Sequence, residues 1–246
     1  MKAAPEAQKR LLDLAELDSV IDRLAHRRRT LPELAEIDER SKLFARLATQ
    51  VIEAQTEAGD LAREQSKAES DVDAVRTRAD RDQKRLDSGA VTSPRDLAGL
   101  QSEIASLQKR QGDLEEIVLE IMERREAADT KVTDLVSQRD ELGAALATAE
   151  DRRDAAFSEI DKEASEVEGR RAGVSGEIPA DLLALYKKLR DQYGVGAAIL
   201  RGGRCQGCKV ALSIAEMNRI KAAPHDDVLR CEECRRILVR TAESGL

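Results

Sequence analysis

The sequence predicts a mainly α protein: a long antiparallel coiled-coil hairpin followed by a small C-terminal α+β module. Three observations favour this fold class. Charged residues make up 36% of the 246 residues and aromatic residues only 2%, which is typical of long helices and not of an interior built on aromatic packing. Apolar residues recur at alternating steps of three and four through most of the chain. All four cysteines fall in two CxxC pairs near its end.

The apolar repeat predicts the two arms of the hairpin. It runs over residues 44–86 and again over 97–167, and a spacing of 3.5 sustained over this length indicates a coiled-coil seam. Between the runs, Gly89 suits a left-handed turn, Ser93 suits a helix N-cap, and Pro94 suits the first helical position. The tip is therefore predicted near residues 88–93. Because this linker is short, the arms should fold back antiparallel.

An earlier helix is predicted from about Glu6 to Arg29, and its phase does not continue into the first arm. Its seam is formed by Leu14, Leu17, Ile21 and Leu24. Pro32 removes a helical donor and clashes with the preceding turn, which predicts a kink near residues 30–32. Two glycines and a proline within residues 171–179 read as a linker. The predicted domains are therefore a hairpin over residues 1–172 and a module of a short helix and strands over residues 173–246.

Arginines interrupt the seam of the second arm and gather near the kink. Arg125, Arg139 and Arg153 recur every fourteen residues, and their long stems allow the guanidinium groups to reach water. A second interpretation is a docking patch for a partner, in which a basic triplet faces a basic pair beside nearby acids such as Asp151 and Asp154. The residues of this candidate patch are Arg27, Arg28, Arg29, Arg152 and Arg153.

The cysteine spacing predicts a metal site. Cys205, Cys208, Cys231 and Cys234 form a CxxC-x22-CxxC pattern, in which each tight turn presents two thiolates to one ion. Four thiolates suit one tetrahedral Zn²⁺, although the spacing alone also fits iron. A thioredoxin-like redox role is the competing interpretation, but neither pair lies in a βαβ context. A four-thiolate zinc is coordinatively closed and therefore structural, and no catalytic constellation occurs elsewhere, so we expect no enzyme and no small-molecule substrate.

The C-terminal module also carries basic residues that suggest nucleic-acid binding. Residues 171–246 contain 13 Lys+Arg against 9 Asp+Glu, whereas residues 1–170 contain 28 against 39. The candidate contacts to phosphate groups are Arg201, Arg204, Lys209, Arg230, Arg235 and Arg236. No aromatic residue follows Tyr193, so a base-stacking platform is missing. A zinc site that only stabilises a very small domain is the other interpretation.

The sequence predicts a cytoplasmic protein. No stretch approaches the ~18–20 apolar residues of a membrane span, and the first eighteen residues lack the apolar segment of a secretory signal. Cysteines grouped only as CxxC pairs fit a reducing compartment, in which metal binding is favoured over disulfide formation.

A coiled-coil hairpin followed by a four-cysteine ribbon resembles the bacterial C4-type zinc ribbon domain proteins, which are often described as nucleic-acid-binding. The resemblance covers almost the whole chain. It is carried by the tip (residues 88–89, 93–97 and Leu100), by residues 103–104 and 107–111, by Ile178-Pro179 with Leu182-Leu183 and Tyr186, and by residues 234–238. Glu232 and Arg235 stand near places where the family commonly has Pro and Gly.

The resemblance implies a scaffold and not an enzyme. Similar proteins have been linked to chaperoning an alternative sigma factor, to binding transcripts, and to flagellar or secretion machinery. We therefore expect a zinc-ribbon adaptor that binds protein partners through its elongated coiled coil, in a setting linked to transcription or its regulation. The alternative is an RNA- or DNA-binding protein that uses the basic residues of the ribbon.

Overall fold

The structure is a computed structural model that describes residues 1–246. Its helices are α1 (Pro5–Arg29), α2 (Pro32–Asp87), α3 (Pro94–Gly176), α4 (Ala180–Tyr193) and α5 (Ile214–Ala222). Its strands are β1 (Ala197–Arg201), β2 (Arg204–Cys205), β3 (Leu229–Arg230) and β4 (Ile237–Val239), and a 3-10 turn covers Ala242–Ser244. No helix combines the length and the hydropathy that a membrane span needs.

The chain divides into two compact units. One contains residues 1–34 and 151–246, and we call it the ribbon unit; the other contains residues 35–150, and we call it the hairpin unit. The division differs from the boundary predicted at residues 172–173. The reason is that α1 and the last part of α3 pack with α4 and the strands, so they share a core with the ribbon.

The hairpin unit consists of antiparallel stretches of α2 and α3. Lys131 pairs with Glu57 at 3.0 Å, and near the tip Arg78 pairs with Glu103, so residue numbers fall along α3 as they rise along α2. The predicted seam is buried at alternating positions, including Val51, Ala54, Leu61 and Ile121. Such small and branched side chains stabilise the arm by removing apolar area from water along its whole length.

Two of the interrupting arginines lie in the hairpin unit, half-buried at the seam. Arg125 donates from Nη1 to Gln65 Oε1 at 3.1 Å. Arg139 bonds to its neighbour Asp140 at 2.6 Å. Both guanidinium groups thus reach polar partners from a buried stem, which fits the predicted behaviour of long side chains at a seam.

The ribbon unit is built around a four-stranded sheet in the order β2-β1-β4-β3, in which β1 and β4 are parallel. Alternate residues of these two strands face opposite layers. Ala197, Ile237 and Val239 join a core formed with α1 and α4. Ala198, Leu200 and Leu238 join a second core that contains the cysteines and Ile220 of α5. The sheet therefore lies between α1 and α4 on one face and the cysteines with α5 on the other face.

The first residues of the chain pair with the segment that leads into β3 through an isolated bridge between Lys2 and Asp227. Ala3 donates its amide to the carbonyl of Asp226 at 2.7 Å, and Val228 donates to the carbonyl of Met1 at 3.1 Å. Leu11 and Leu14 of α1 are fully buried. The two ends of the sequence thus form one folded body.

The structure differs from two further predictions made from the sequence. The predicted linker at residues 171–179 is helical as far as Gly176, because Arg171 bonds to Asp18 and Val174 packs on the core, which outweighs the low helix propensity of the glycines. The buried stripe of α1 includes Leu11, Ala15 and Asp18, whereas Leu17 and Ile21 are only half-buried. Residues 210–212, which follow the first cysteine pair, contribute only an isolated bridge between Ala211 and Arg204.

Candidate metal centre and basic surfaces

Two matching turns bring the four cysteines together. Cys205 donates its amide to the carbonyl of Val210, and Lys209 donates back to the carbonyl of Cys205 at 2.7 Å. The second turn repeats this arrangement 26 residues later: Cys231 donates to Arg236, and Arg235 donates to Cys231 at 2.9 Å. Lys209 and Arg235 each have a positive φ, of 61° and 62°. The turn therefore needs a left-handed residue directly after its second cysteine, and in both cases a basic residue takes it.

The sulfur positions fit a tetrahedral ion. All four Sγ atoms lie within 4.8 Å of one another. The Sγ atoms of Cys205 and Cys234 are 3.7 Å apart, and those of Cys208 and Cys231 are 3.9 Å apart. Zn–S bonds of about 2.3 Å in tetrahedral geometry place sulfurs about 3.8 Å apart. The donor set thus fits one structural Zn²⁺ held by four thiolates.

The metal-free thiols differ in acidity. Burial raises the pKa of Cys205 to about 12, against the opposing effect of the amides of Cys208 and Gly207. Burial likewise raises the pKa of Cys231. Burial also acts to raise the pKa of Cys234, but the amide of Arg236 and the thiol of Cys231 outweigh it, and the net shift is downward. Zinc binding must therefore displace protons from buried thiols, so the affinity for zinc should fall as the pH is lowered.

A buried carboxylate supports the second turn. Glu216, on α5, is 5% exposed, and its Oε1 accepts the amide of Glu232 at 3.2 Å. The helix begins directly after Ser213, whose Oγ accepts the amide of Glu216 at 3.1 Å. Arg219 forms an ion pair with Glu232 at 2.5 Å. Through these contacts α5 holds the loop that carries Cys231 and Cys234.

Half of the candidate phosphate-binding residues are engaged within the protein. Arg236 donates to the carbonyls of Tyr193 at 2.8 Å, Val195 at 3.0 Å and Gly207 at 3.3 Å. Arg230 donates to the carbonyl of Arg235 at 2.8 Å, and Arg201 pairs with Glu243. Arg236 therefore ties α4 to the first cysteine turn.

The side chains of the other three candidates are not bonded to groups of the protein in this way. Arg204, Lys209 and Arg235 are exposed and form no ion pair. Among the six candidates, these three are the ones whose side chains are not engaged by an acid or a backbone carbonyl of the protein.

The arginines near the kink have mixed surroundings. Arg28 pairs with Asp161 at 2.9 Å, and its guanidinium lies 4.1 Å from the centroid of the Phe157 ring. Arg153 pairs with Asp154 at 2.8 Å. Arg27, Arg29 and Arg152 are exposed. The acid that meets Arg28 thus lies about two turns beyond Arg153 on α3, so the basic triplet is partly neutralised by residues that the sequence pattern does not indicate.

A buried ionic cluster in the ribbon unit was not predicted from the sequence. Asp18 is 2% exposed. Its carboxylate accepts from the Tyr186 hydroxyl at 2.6 Å and from Arg171 at 2.5 Å, and Arg190 Nε lies 3.1 Å away. The cluster joins α1, α3 and α4. The one available signal was an acidic residue at a core-facing position of an amphipathic helix, where burial requires a partner.

The comparisons with known proteins agree with this architecture. The family model of the CT398-like coiled coil hairpin domain matches residues 14–194, and that of the C4-type zinc ribbon domain matches residues 204–238. The chain is 38% identical over 240 residues to uncharacterized protein Rv2229c of Mycobacterium tuberculosis, covering 98% of each chain. It is 30% identical over 221 residues to uncharacterized protein ML1638 of Mycobacterium leprae, covering 89% of this chain and 94% of the relative.

Solved structures show the same fold. A protein from Mycobacterium smegmatis superposes with a TM-score of 0.86 at 36% identity, covering 98% of this chain and 100% of the other. CT398 from Chlamydia trachomatis superposes with a TM-score of 0.69 at 18% identity, covering 96% and 98%. The hairpin, the four-cysteine site and these likenesses lead to one conclusion: the chain belongs to the CT398-like coiled coil hairpin family and carries a C4-type zinc ribbon.

Proposed function

We propose that this chain is a non-enzymatic scaffold that binds protein partners through its hairpin unit, with zinc serving to stabilise the ribbon. One observation carries the proposal. Of the nine large apolar side chains that are exposed, five lie on the hairpin unit: Leu43, Ile52, Ile117, Leu119 and Met122. The seam has already buried its own apolar residues, so these side chains are left for contacts with another molecule.

The chemistry of the metal centre supports the same proposal. Four thiolates leave no open coordination position for water or substrate. The matched families are named for a coiled coil and a zinc ribbon, neither of which is a catalytic domain. We place this scaffold in the cytoplasm, where four thiols remain reduced, and in a setting linked to transcription, as the resemblance implies.

Site-specific photocrosslinking in cells tests the scaffold proposal. A photoreactive residue is placed at Ile52 or Leu119 on the hairpin and, for comparison, at Ile214, which is 82% exposed on the ribbon unit. We expect a discrete protein adduct from a hairpin position that is reproduced with the purified partner. Adducts that arise only from position 214, or that contain nucleic acid, would contradict the proposal.

Nucleic-acid binding by the ribbon is the second candidate. The observation in its favour is the exposure of Arg204, Lys209 and Arg235 without ion pairs. Fluorescence anisotropy with short RNA and DNA tests it on the full zinc-loaded chain. Phosphate binding predicts an affinity that falls steeply with salt and falls further when these three residues are changed to Ala. The Arg236→Ala variant is unsuitable for this purpose, because Arg236 bonds three backbone carbonyls.

A further inference from the structure

One flank of the hairpin unit contains two adjoining depressions that share Leu119. The first has a volume of about 530 Å³ and is bordered by Val72 of α2 and Val118 of α3. The second has a volume of about 590 Å³ and is bordered by Gln65 of α2 and Met122 of α3. Because Leu119 lines both, the two depressions form one groove between the helices, which we call the Leu119 groove.

Large apolar side chains line this groove without being covered. Leu119 is 59% exposed and Met122 is 44% exposed. They are three residues apart on α3, so they lie on the same face of the helix. Ile121, between them, is 3% exposed and already fills the seam. Methionine adapts its shape to different apolar partners, which suits a surface that receives another side chain.

The rim of the groove is strongly acidic. Six acids line it: Glu69, Asp73, Glu115, Glu123, Glu126 and Asp129. Arg125 is the only basic residue in the lining, and it is already bonded to Gln65 at 3.1 Å and paired with Asp129 at 3.5 Å. An apolar floor with an acidic rim complements a helix that has one apolar face and basic flanks.

The length of the groove sets the length of its occupant. On α3 its lining runs from Glu115 to Thr133. At 1.5 Å per residue this distance is roughly 27 Å, or about five helical turns. A helix of about 18 residues would therefore cover it.

We propose that the Leu119 groove binds a basic amphipathic helix of a partner protein, which rests on the scaffold function and specifies the class of partner. A second copy of the hairpin is a poor occupant, because residues 35–150 carry 17 Lys+Arg against 26 Asp+Glu and would meet the groove with like charge. A nucleic-acid backbone is disfavoured by the same rim.

The opposite flank provides a matched control within the same unit. There a groove is lined by Ile52 and Leu61 and also by Arg124 and Lys131. Arg124 Nη1 lies 3.9 Å from Glu64 Oε2, and Lys131 Nζ lies 3.0 Å from Glu57 Oε2. Apolar exposure is thus present on both flanks, but six acids surround one basic residue in the Leu119 groove, whereas four acids accompany two basic residues in the opposite groove.

The test is a fluorescence-anisotropy titration of the full zinc-loaded chain at near-physiological salt. The probe is a fluorescein-labelled 18-residue peptide of Leu and Lys whose leucines recur at helical spacing. A peptide of the same composition with scrambled order controls for charge alone. We expect saturable binding of the amphipathic peptide and at least about tenfold weaker binding of the scrambled one, because only the first presents a continuous apolar face.

Two double substitutions, each with a control on the opposite flank, test whether the peptide binds in the Leu119 groove. Leu119→Ser with Met122→Ser removes apolar contacts and should weaken binding by about tenfold or more; Ile52→Ser is its control. Glu123→Lys with Glu126→Lys reverses rim charge and should weaken binding most at low salt; Glu53→Lys with Glu64→Lys is its control. All these side chains are exposed, and the helical circular dichroism signal verifies folding.

The outcomes separate this proposal from the scaffold function. Loss of binding in both groove pairs, with retention in both controls, supports the proposal. No binding of the amphipathic peptide, equal binding of the scrambled peptide, or equal loss in the control variants overturns it. In those cases a crosslinked partner at position 52 would still support a scaffold, whereas the absence of protein adducts at every hairpin position would overturn the scaffold function itself.

Discussion

The buried cluster around Asp18 allows a quantitative test of how the ribbon unit is held together. Asp18→Ala removes the carboxylate that Tyr186, Arg171 and Arg190 share. Removing one partner of a buried ion pair costs about 3–5 kcal/mol, because the remaining charge is left uncompensated. The side chains of Arg171 and Arg190 are each 24% exposed, so water can partly replace the lost partner. We therefore expect a loss of about 3 kcal/mol in the free energy of unfolding.

Two further variants measure how much single contacts near Asp18 contribute to the free energy of unfolding. Tyr186→Phe removes only the hydroxyl that donates to Asp18 at 2.6 Å, and a hydrogen bond to a charged group contributes about 1.5–3 kcal/mol. Asp22→Ala removes the other carboxylate paired with Arg190, at 2.9 Å. Since Asp22 is 57% exposed, its ion pair should contribute about 0–1 kcal/mol.

The assay is urea unfolding of the zinc-loaded chain followed by tyrosine fluorescence. The chain has no Trp, and its two tyrosines, Tyr186 and Tyr193, both lie in the ribbon unit. Tyrosine emission therefore reports on that unit, while far-UV circular dichroism is dominated by the long helices. A loss of less than about 1 kcal/mol for Asp18→Ala, or a loss no larger than that of Asp22→Ala, would refute the assigned role of the cluster.

Three other predictions follow from the ribbon unit. Arg236→Ala should lower the unfolding midpoint in urea markedly, because three backbone carbonyls lose their donor; its exposed neighbour Arg235→Ala should change it little, and equal effects would contradict this assignment. Cys231→Ser or zinc chelation should abolish the cooperative tyrosine transition yet leave most helical signal, and elemental analysis of the intact chain should find one zinc per molecule. Burial and the bond to Asp18 raise the pKa of Tyr186 above its ordinary value near 10, so the stability that this hydroxyl contributes should be fully present below pH 10 and lost as the pH rises further. In urea unfolding at increasing pH, Tyr186→Phe should therefore lessen the decline above pH 10.

The local signals in the sequence were sufficient to locate most helix ends. Pro94 begins α3 directly after Ser93, and Pro32 begins α2 after the break at Thr30–Leu31. The seam of the hairpin could be predicted because it repeats one local pattern over many turns. The metal site could be predicted because each CxxC turn fixes two ligands within four residues.

The core of the ribbon unit could not be predicted in the same way, because its contacts join distant parts of the chain. Asp18 meets residues 153 and 168 positions further along. The position of Asp18 on the core-facing side of α1 indicates that its carboxylate needs a partner, but it does not indicate which distant residues supply one. Arg236 is the opposite case, because it looks like part of an exposed basic pair in the sequence but is engaged in the structure. The carbonyls of Tyr193 and Val195 come within its reach only after α4 has packed beside the cysteine turn.

The joining of residues 1–34 to residues 151–246 has a consequence for synthesis on the ribosome. The buried face of α1, with Leu11 and Leu14, is translated before the hairpin unit, but the strands that cover it are translated after that unit. At about 5–20 residues per second, the intervening residues 35–150 take roughly ten seconds to make. During that interval the hairpin unit can form from contacts among its own residues, while the apolar face of α1 stays exposed. A chain released before the strands are made would thus keep an exposed apolar face on α1, and such exposed apolar surface makes a chain a target of chaperones and proteases.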